Sequence, residues 1–245
     1  MASAPVMLYE RFSVEDLTRH DWLDLRSIGT AAWETIVASC RASELRLLYV
    51  KIKSLAGVER LRNTVRLSIE DARKIEDLSP LFEMRWLTKL YLSDLPRIRQ
   101  IEGIEALQDL RELRLSGNRG SLNPPLRLAS VHPIASLRNL EELEITNIRL
   151  EDRDISFIPS AFPNLRTLRL SGAEFERAQF AFLAQKLNAR LREPIVSSWQ
   201  MKAAPCRKCR RPLHLFLGRR MPMLCEFCDE KRFRKLTEEF QQYPS

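Results

Sequence analysis

The hydrophobic positions in the middle of the chain follow one repeated pattern, Leu-x-x-Leu-x-Leu. Four segments fit it, and their last apolar residues are Leu92, Leu115, Ile145 and Leu170. The gaps between these residues are 23, 30 and 25 positions, so one unit returns with a nearly constant length. Apolar and polar residues alternate at the end of each segment, which predicts a short strand with one buried face.

Apolar residues recur at every third position after these strands, as in "IRQIEGIEAL" and "VHPIASL". This spacing favours a short helical or extended turn with one inward edge. Neither the strand nor the turn can bury its apolar edge alone, so neighbouring copies must stack. The pattern predicts an α/β solenoid with short parallel strands on its concave face and a helical or irregular convex side.

Two earlier segments extend the pattern toward the N-terminus. "NTVRLS" places Val65 and Leu67 in strand positions, with Leu67 25 residues before Leu92, and "SELRLLYV" is an earlier copy whose phase stays open. The longest gap contains "SGNRGSLNPPLRLAS", whose glycines and prolines predict a loop that leaves the solenoid. Such a loop is either a binding element or a tolerated surface insertion.

The stretch "LTKLYLSDLPRIRQIEGIEALQDLRELRLSGN" resembles the leucine-rich repeat proteins, in particular their short-repeat, internalin-like type. The resemblance covers about residues 44–175 and implies a solenoid that presents a binding surface. The position that usually holds asparagine carries Asp94, Asn118, Asn147 and Ala173 in successive copies. We therefore expect an incomplete asparagine ladder.

The polar residues between the repeat leucines are expected to point away from the core. They predict a concave face of mixed charge that recognises a protein partner through polar contacts. Beside Ser68, Ser93, Thr167 and Ser171, the candidate partner-binding residues are Arg66, Lys89, Tyr91, Glu112, Arg114, Glu142, Glu144 and Arg169. The alternative is a solvated sheet face that binds no partner.

The segments that flank the repeats are predicted to be helical caps. Residues 1–43 form a helical N-terminal cap in this interpretation, and residues 176–195 form a C-terminal capping helix because a solenoid needs its open end covered. "IVSSWQMKAAP" is predicted to be a connector. The apolar residues at helical spacing in the N-terminal segment are Trp22, Leu25, Ile28, Trp33, Ile36 and Val37.

Four of the five cysteines form two Cys-x-x-Cys pairs separated by fifteen residues: Cys206 with Cys209 and Cys225 with Cys228. Each tight turn brings two thiolates to one side of the backbone, and two turns supply the four ligands of a closed tetrahedral site. We expect a structural Zn²⁺ ion there. A redox dithiol at either pair and iron in a four-thiolate site are the alternatives.

This region resembles the zinc ribbons, small modules built from two such turns. The resemblance covers about residues 204–231, and "PLHLFLG" alternates as a hairpin strand should. Ribbons often place glycine after the second cysteine of a turn, whereas this chain has Arg210 and Asp229. Residues 196–245 are therefore predicted to comprise a zinc ribbon and an amphipathic tail helix.

The formal net charge is +8, and residues 201–245 carry eleven Lys or Arg against five Asp or Glu. This local excess makes nucleic-acid binding through the basic tail the second hypothesis. Against it, the acids are interspersed and Phe216 is the one aromatic residue of the hairpin that is a candidate for base stacking. A protein partner remains the first expectation.

No catalytic motif is visible, because the chain has no recognisable nucleophile arrangement, phosphate loop or paired-acid motif. We therefore expect a protein that is not an enzyme. There is no run of 18 apolar residues, and the start "MASAPVMLYERFSVEDL" lacks the features of a secretory signal. The sequence thus predicts a cytoplasmic protein with no membrane partner, in which close cysteine pairs bind metal rather than form disulfides.

Overall fold

A computed structural model describes residues 4–117 and 126–243. Its strands are β1 (Val6–Tyr9), β2 (Trp22–Ile28), β3 (Glu44–Val50), β4 (Arg66–Glu70), β5 (Lys89–Ser93), β6 (Glu112–Ser116), β7 (Leu126–Leu128), β8 (Glu142–Thr146), β9 (Ile148–Leu150), β10 (Thr167–Leu170), β11 (Ser198–Pro205), β12 (Pro212–Phe216) and β13 (Met223–Leu224). Its α-helices are α1 (Val14–Arg19), α2 (Thr30–Ser39), α3 (Ser79–Phe82), α4 (Ile158–Ala161), α5 (Arg177–Leu187) and α6 (Glu230–Gln241).

Eight strands form one parallel sheet in the order β1-β2-β3-β4-β5-β6-β8-β10. Short helical turns connect successive strands on one side of the sheet, which we call the helical side. They include 3₁₀ turns at Val58–Arg60, Ile104–Ala106 and His132–Ser136. A separate parallel pair, β7 with β9, lies beyond the ends of β6 and β8 in sequence. The predicted α/β fold with a parallel sheet is confirmed.

The register confirms the phase of the four clear repeats, because Leu92, Leu115, Ile145 and Leu170 are aligned across neighbouring strands. The predicted alignment of the earlier copy, "NTVRLS", with the four clear repeats is wrong. Ile69, not Leu67, lies beside Leu92, and Leu67 lies beside Leu90. A strand repeats its apolar face every two residues, so a shift by two preserves the pattern and cannot be detected from alternation alone.

The asparagine position is also corrected by the register. Ser93, Ser116 and Thr146 are aligned, so Gly117 is the equivalent of Asp94 and Asn147. Asp94 and Asn147 both have φ in the left-handed region, at 56° and 52°. The predicted member Asn118 and most of the loop "SGNRGSLNPPLRLAS" lie outside the described residues. By the same alignment Gly172, not Ala173, ends the last repeat.

The prediction of a helical N-terminal cap is wrong in part, because this segment adds β1 and β2 to the parallel sheet. Leu23 and Leu25 are fully buried in β2 and extend the leucine rows of the repeats. The helical spacing of Trp22, Leu25 and Ile28 was misleading, since a short apolar segment fits both periods. In contrast, α2 does bury Trp33 on its inward side.

The C-terminal part begins with α5, which buries Phe180, Leu183 and Leu187. The predicted connector instead contains β11, which pairs antiparallel with β12, and β12 pairs antiparallel with β13. We call residues 196–243 the C-terminal module. Leu217 and Phe240 of this module belong to the same buried apolar cluster as the leucines of the parallel sheet.

No helix among the described residues has both the length and the apolar character needed to cross a bilayer.

Candidate functional site

One face of the parallel sheet carries polar side chains, and we call it the outer face. Two rows of aligned residues cross it. The first row is Trp22, Glu44, Arg66, Lys89, Glu112, Glu142 and Thr167. The second row is Asp24, Arg46, Ser68, Tyr91, Arg114, Glu144 and Arg169. The eight predicted partner-binding residues all lie in these rows, four in each.

A network of ion pairs occupies the N-terminal part of the outer face. The Asp24 carboxylate accepts from Nε and Nη2 of Arg26 at 3.0 and 2.8 Å, and from Nη1 of Arg46 at 3.1 Å. Arg46 also donates to both carboxylate oxygens of Glu70 at 2.8 Å. Fork-to-fork contacts of this kind fix the orientation of the side chains.

Asp24 is the most deeply buried charged residue of this network, with 2% of its surface exposed. Burial would raise its pKa, but the hydrogen bonds from Arg26 and the charge of Arg46 outweigh burial and lower it. The pKa of Glu70 is lowered in the same way, against burial, by hydrogen bonds from Arg46 and Ser68. Both carboxylates are thus held ionised at neutral pH.

The sequence interpretation missed this network because β2 was predicted as helix and the phase of β3 was left open. The charge alternation in "LDLRS" and "ELRLL" was the available signal. Once both segments are treated as strands, Asp24 and Arg46 fall on the same face, since residues two apart share a face of a strand.

The centre of the outer face is organised around Glu112. Its carboxylate pairs with Lys89 and accepts from the Tyr91 hydroxyl at 2.7 Å. Burial would raise the pKa of Glu112, yet these two hydrogen bonds lower it. The Arg114 guanidinium lies 4.4 Å from the centroid of the Tyr91 ring, a cation–π distance. The residues form a rigid polar patch.

The C-terminal part of the outer face is paired more loosely. Arg114 approaches Glu142 and Glu144 at 4.0 and 3.8 Å, and Arg169 approaches Glu144 at 3.8 Å. These distances exceed those of hydrogen-bonded ion pairs, so both guanidinium groups retain donors for another acceptor. Arg192 contacts Glu142 more closely, at 2.8 Å.

A shallow cavity of about 280 Å³ lies at the N-terminal half of the outer face. Arg66, Lys89 and Tyr91 of the predicted set line it, together with Trp22 and Arg46. A concave site that combines two aromatic residues with several charges suits a polar side chain of a partner.

The four predicted metal ligands are brought together at one end of the C-terminal module. The Sγ atoms of Cys206, Cys209, Cys225 and Cys228 all lie within 4.8 Å of one another, and Cys209 and Cys225 are 3.4 Å apart. A tetrahedral ion with metal–sulfur bonds of 2.3 Å requires sulfur separations of about 3.8 Å. The cluster is therefore compact enough for four sulfurs to share one metal ion.

Backbone amides support the sulfur cluster. The N–H groups of Cys209 and Lys208 hydrogen-bond the Cys206 sulfur and lower the pKa of its thiol to about 7. Hydrogen bonding with Cys209, followed by burial, raises the pKa of Cys228 to about 12. A divalent cation bound among the four sulfurs would supply the positive charge that a cluster of thiolates needs.

Neither Cys-x-x-Cys turn has glycine after its second cysteine, and different contacts close the two turns. Arg210 adopts φ of 64°, the left-handed conformation that glycine favours, and its N–H donates to the carbonyl of Cys206 at 2.9 Å. Asp229 instead precedes α6, and its carboxylate accepts from the N–H of Cys225 at 3.0 Å. Both turns are closed without glycine.

Phe216, the residue that the nucleic-acid hypothesis offers for base stacking, is buried in the C-terminal module. Phe216 is 1% exposed and its ring packs edge-on against Phe233 at 5.1 Å, so it cannot stack on a base. Phe227 is 61% exposed but is covered on one side by Arg211 at 3.5 Å. The second hypothesis therefore loses its aromatic candidate.

The side chains of one serine, one histidine and one glutamate lie next to one another on the C-terminal module, with the histidine in the middle. Ser198 Oγ is 3.5 Å from Nδ1 of His214, and Nε2 of His214 is 3.9 Å from Glu226. Activation of a nucleophile generally uses contacts of about 2.6–3.2 Å. Since both distances are longer, we assign no catalytic role to these three residues.

No protein-family model and no curated protein matches the chain. Among solved structures, the chain is similar to internalin C2 (inlC2) of Listeria monocytogenes, with 21% identity, a TM-score of 0.45, and coverage of 60% of this chain and 57% of that one. It is also similar to the internalin inlF of Listeria monocytogenes, with 20% identity, a TM-score of 0.48, and coverage of 75% and 57%. The chain thus spans less than two thirds of either internalin structure.

Proposed function

We propose that this chain is a non-enzymatic protein-binding module whose partner contacts the outer face of the parallel sheet. The loosely paired arginines Arg114 and Arg169 carry the proposal. They stand on a rigid sheet, keep unused donors, and lie beside the fixed carboxylates of Glu142 and Glu144. Such a surface favours a partner of mixed charge and selects its orientation, because charge patterns contribute specificity and register.

The rest of the outer face supports the same proposal through its rigidity. Arg66, Lys89, Tyr91 and Glu112 are already held by neighbouring strands, so little side-chain entropy is lost when they meet a partner. A partner chain that places an acidic group near Arg114 would replace a long ion pair by a short one. We expect the strongest contacts at this position.

We further propose that the four-cysteine cluster holds a structural Zn²⁺ ion. The proposal is supported by the compactness of the sulfur cluster and by the backbone amides that point to Cys206. Four thiolates close the coordination shell, so the ion would stabilise the module and leave no position for a substrate. A reducing, cytoplasmic compartment suits a site that needs four reduced cysteines.

Affinity capture with charge-reversal variants tests the binding proposal. The intact protein and the variants Arg114→Glu and Arg169→Glu would each be immobilised and the captured proteins quantified by mass spectrometry. Arg85→Glu is the matched control, because Arg85 is an exposed arginine between α3 and β5 on the helical side. Each charge is reversed by the same substitution.

We expect at least one captured protein to decrease about tenfold or more with the outer-face variants and to remain unchanged with the control, since one strong charged contact is worth about 1.5–3 kcal/mol. Capture that is the same for all four forms would contradict the assignment of the outer face. Circular dichroism of each variant establishes that the sheet is retained.

A further inference from the structure

A cleft of about 630 Å³ lies where the parallel sheet meets the C-terminal module. Its floor is β10, the last strand of the sheet, and the segment after α5 passes along its opposite side. We call this space the edge cleft. Its apolar lining residues include Leu168, Leu170, Phe180, Ile195, Val196 and Trp199.

The backbone of β10 is paired on one side only. The N–H groups of Thr167 and Ser171 donate to carbonyls of the β8 repeat, those of Glu141 and Ile145. The hydrogen-bonding direction alternates from one residue to the next along a parallel strand. The N–H and C=O groups of Leu168 and Leu170 therefore point away from β8. Among the described residues, no hydrogen bond reaches these backbone groups from the cleft side.

The same edge is closed at both ends of this gap. The carbonyl of Arg166 accepts from the N–H of Arg192 at 2.8 Å, and the carbonyl of Gly172 accepts from the N–H of Gly218 at 2.8 Å. The chain thus covers the edge before and after β10 and leaves Leu168 and Leu170 uncovered between the two contacts. An open strand edge with unpaired donors and acceptors is a template for another strand.

The side chains of β10 show the same incompleteness. Leu143 and Ile145 of β8 are fully buried, at 1% and 0% exposure, whereas their β10 neighbours Leu168 and Leu170 are only half-buried. Val196 and Trp199, on the other wall of the cleft, are 42% and 41% exposed. An additional strand with apolar side chains would bury all four residues.

We propose that the edge cleft binds an extended segment of another protein, which pairs with Leu168 and Leu170 as an added β-strand. The open backbone groups select an extended chain, and the apolar walls select apolar side chains at alternate positions, since successive side chains of a strand point to opposite faces. The contacts at Arg166 and Gly172 limit the paired segment to about five residues at 3.3 Å each. This site is separate from the outer-face surface.

The probe is a peptide selected from a random-peptide phage library against the full-length protein. Its binding would be measured by fluorescence anisotropy with the intact protein and with Val196→Glu, which places a charge on the apolar wall. Val14→Glu is the control, because Val14 on α1 is a similarly exposed valine, at 56%, outside the cleft. Amide exchange at Leu168 and Leu170 would be followed by NMR with and without the peptide.

We expect the selected peptide to slow exchange of both amides at least tenfold, and Val196→Glu to weaken binding at least tenfold while Val14→Glu leaves it unchanged. Arg114→Glu should also leave peptide binding unchanged, which separates this site from the outer face. Failure to select a peptide, unaltered exchange, or full affinity of Val196→Glu would overturn the proposal. So would concentration-dependent self-association that protects the same amides, because the occupant would then be a second copy.

Discussion

Arg177 donates a hydrogen bond from Nη1 to the carbonyl oxygen of Leu217 at 3.0 Å and thereby joins α5 to the C-terminal module. Its Nη2 donates to the carbonyl of Leu236 in the middle of α6. The guanidinium carbon also lies 5.4 Å from the ring centroid of Phe216 and 5.1 Å from that of Phe240. Burial lowers the pKa of Arg177, against the opposing charge of Glu239. One side chain thus connects α5, the end of β12 and α6.

Replacing Arg177 by alanine should destabilise the protein by about 2–4 kcal/mol, because two carbonyls lose a charged donor and two rings lose their neighbour. Urea unfolding followed by circular dichroism measures this difference. Lys186→Ala on the exposed side of the same helix is the control and should cost less than about 1 kcal/mol. Equal effects of the two substitutions would show that Arg177 does not join the parts.

Metal content should be one zinc ion per chain, and Cys225→Ser should abolish it. Cys40→Ser is the control. Cys40 is buried, lies far from the other four cysteines in the sequence, and is not a member of the sulfur cluster. Elemental analysis of the purified proteins under reducing conditions measures both. Zinc retained by Cys225→Ser, or two disulfides in place of metal, would contradict the assignment.

Chelation of the metal should loosen α5 as well as the C-terminal module. Leu217 and Phe240 share the buried cluster of the repeats, and Gly218 hydrogen-bonds Gly172 at the end of the sheet. Hydrogen exchange should therefore rise in the module and in α5 while β3–β6 stay protected. Exchange that rises in the module alone would show that the two parts are not energetically coupled.

The Asp24 network makes stability depend on pH. The pKa of Asp24 is lowered in the folded state, so its stabilisation is present above the unfolded pKa of about 3.9 and is lost as pH falls through the folded value. Asp24→Asn should cost about 3–5 kcal/mol at neutral pH, and the difference from the intact protein should shrink below about pH 4. Asp109→Asn, an exposed control, should have no such pH dependence.

Two backbone positions in the C-terminal module should respond to substitution in opposite directions. Gly218 has φ of 118°, and an added Cβ would lie 2.7 Å from Cβ of Arg177, so Gly218→Ala should destabilise by about 2 kcal/mol or more. Arg210 has φ of 64°, so Arg210→Gly should stabilise by about 1 kcal/mol. Thermal unfolding of both variants measures the signs, and the same sign for both would contradict the assigned conformations.

The sequence predicted the features that depend on local periodicity. The leucine frame gave the strands β5, β6, β8 and β10 in register, because a repeat of nearly constant length leaves one way to stack its copies. The cysteine spacing likewise identified four residues that come together, since each Cys-x-x-Cys turn is a local structure.

The features that depend on neighbours distant in sequence were not predictable in the same way. β2 was predicted as helix because Trp22, Leu25 and Ile28 fit a helical period, whereas the open edge of the sheet imposes a strand. β11 was predicted as a connector because its own sequence does not indicate a strand. Its strand conformation depends on pairing with β12. The role of Arg177 was not predicted, because its hydrogen-bond partners are 40 and 59 residues away in the sequence.

Position-resolved photo-crosslinking tests most directly whether the outer face binds a protein. A photoreactive amino acid would be placed at Ser93 or Thr167 on the outer face, or at Arg85 or Gln108 among the exposed residues of the helical side. Illumination in cells followed by mass spectrometry identifies the attached proteins. We predict that one protein is captured from both outer-face positions and from neither position of the helical side. Equal capture from both sides, or capture from the helical side alone, would contradict the account.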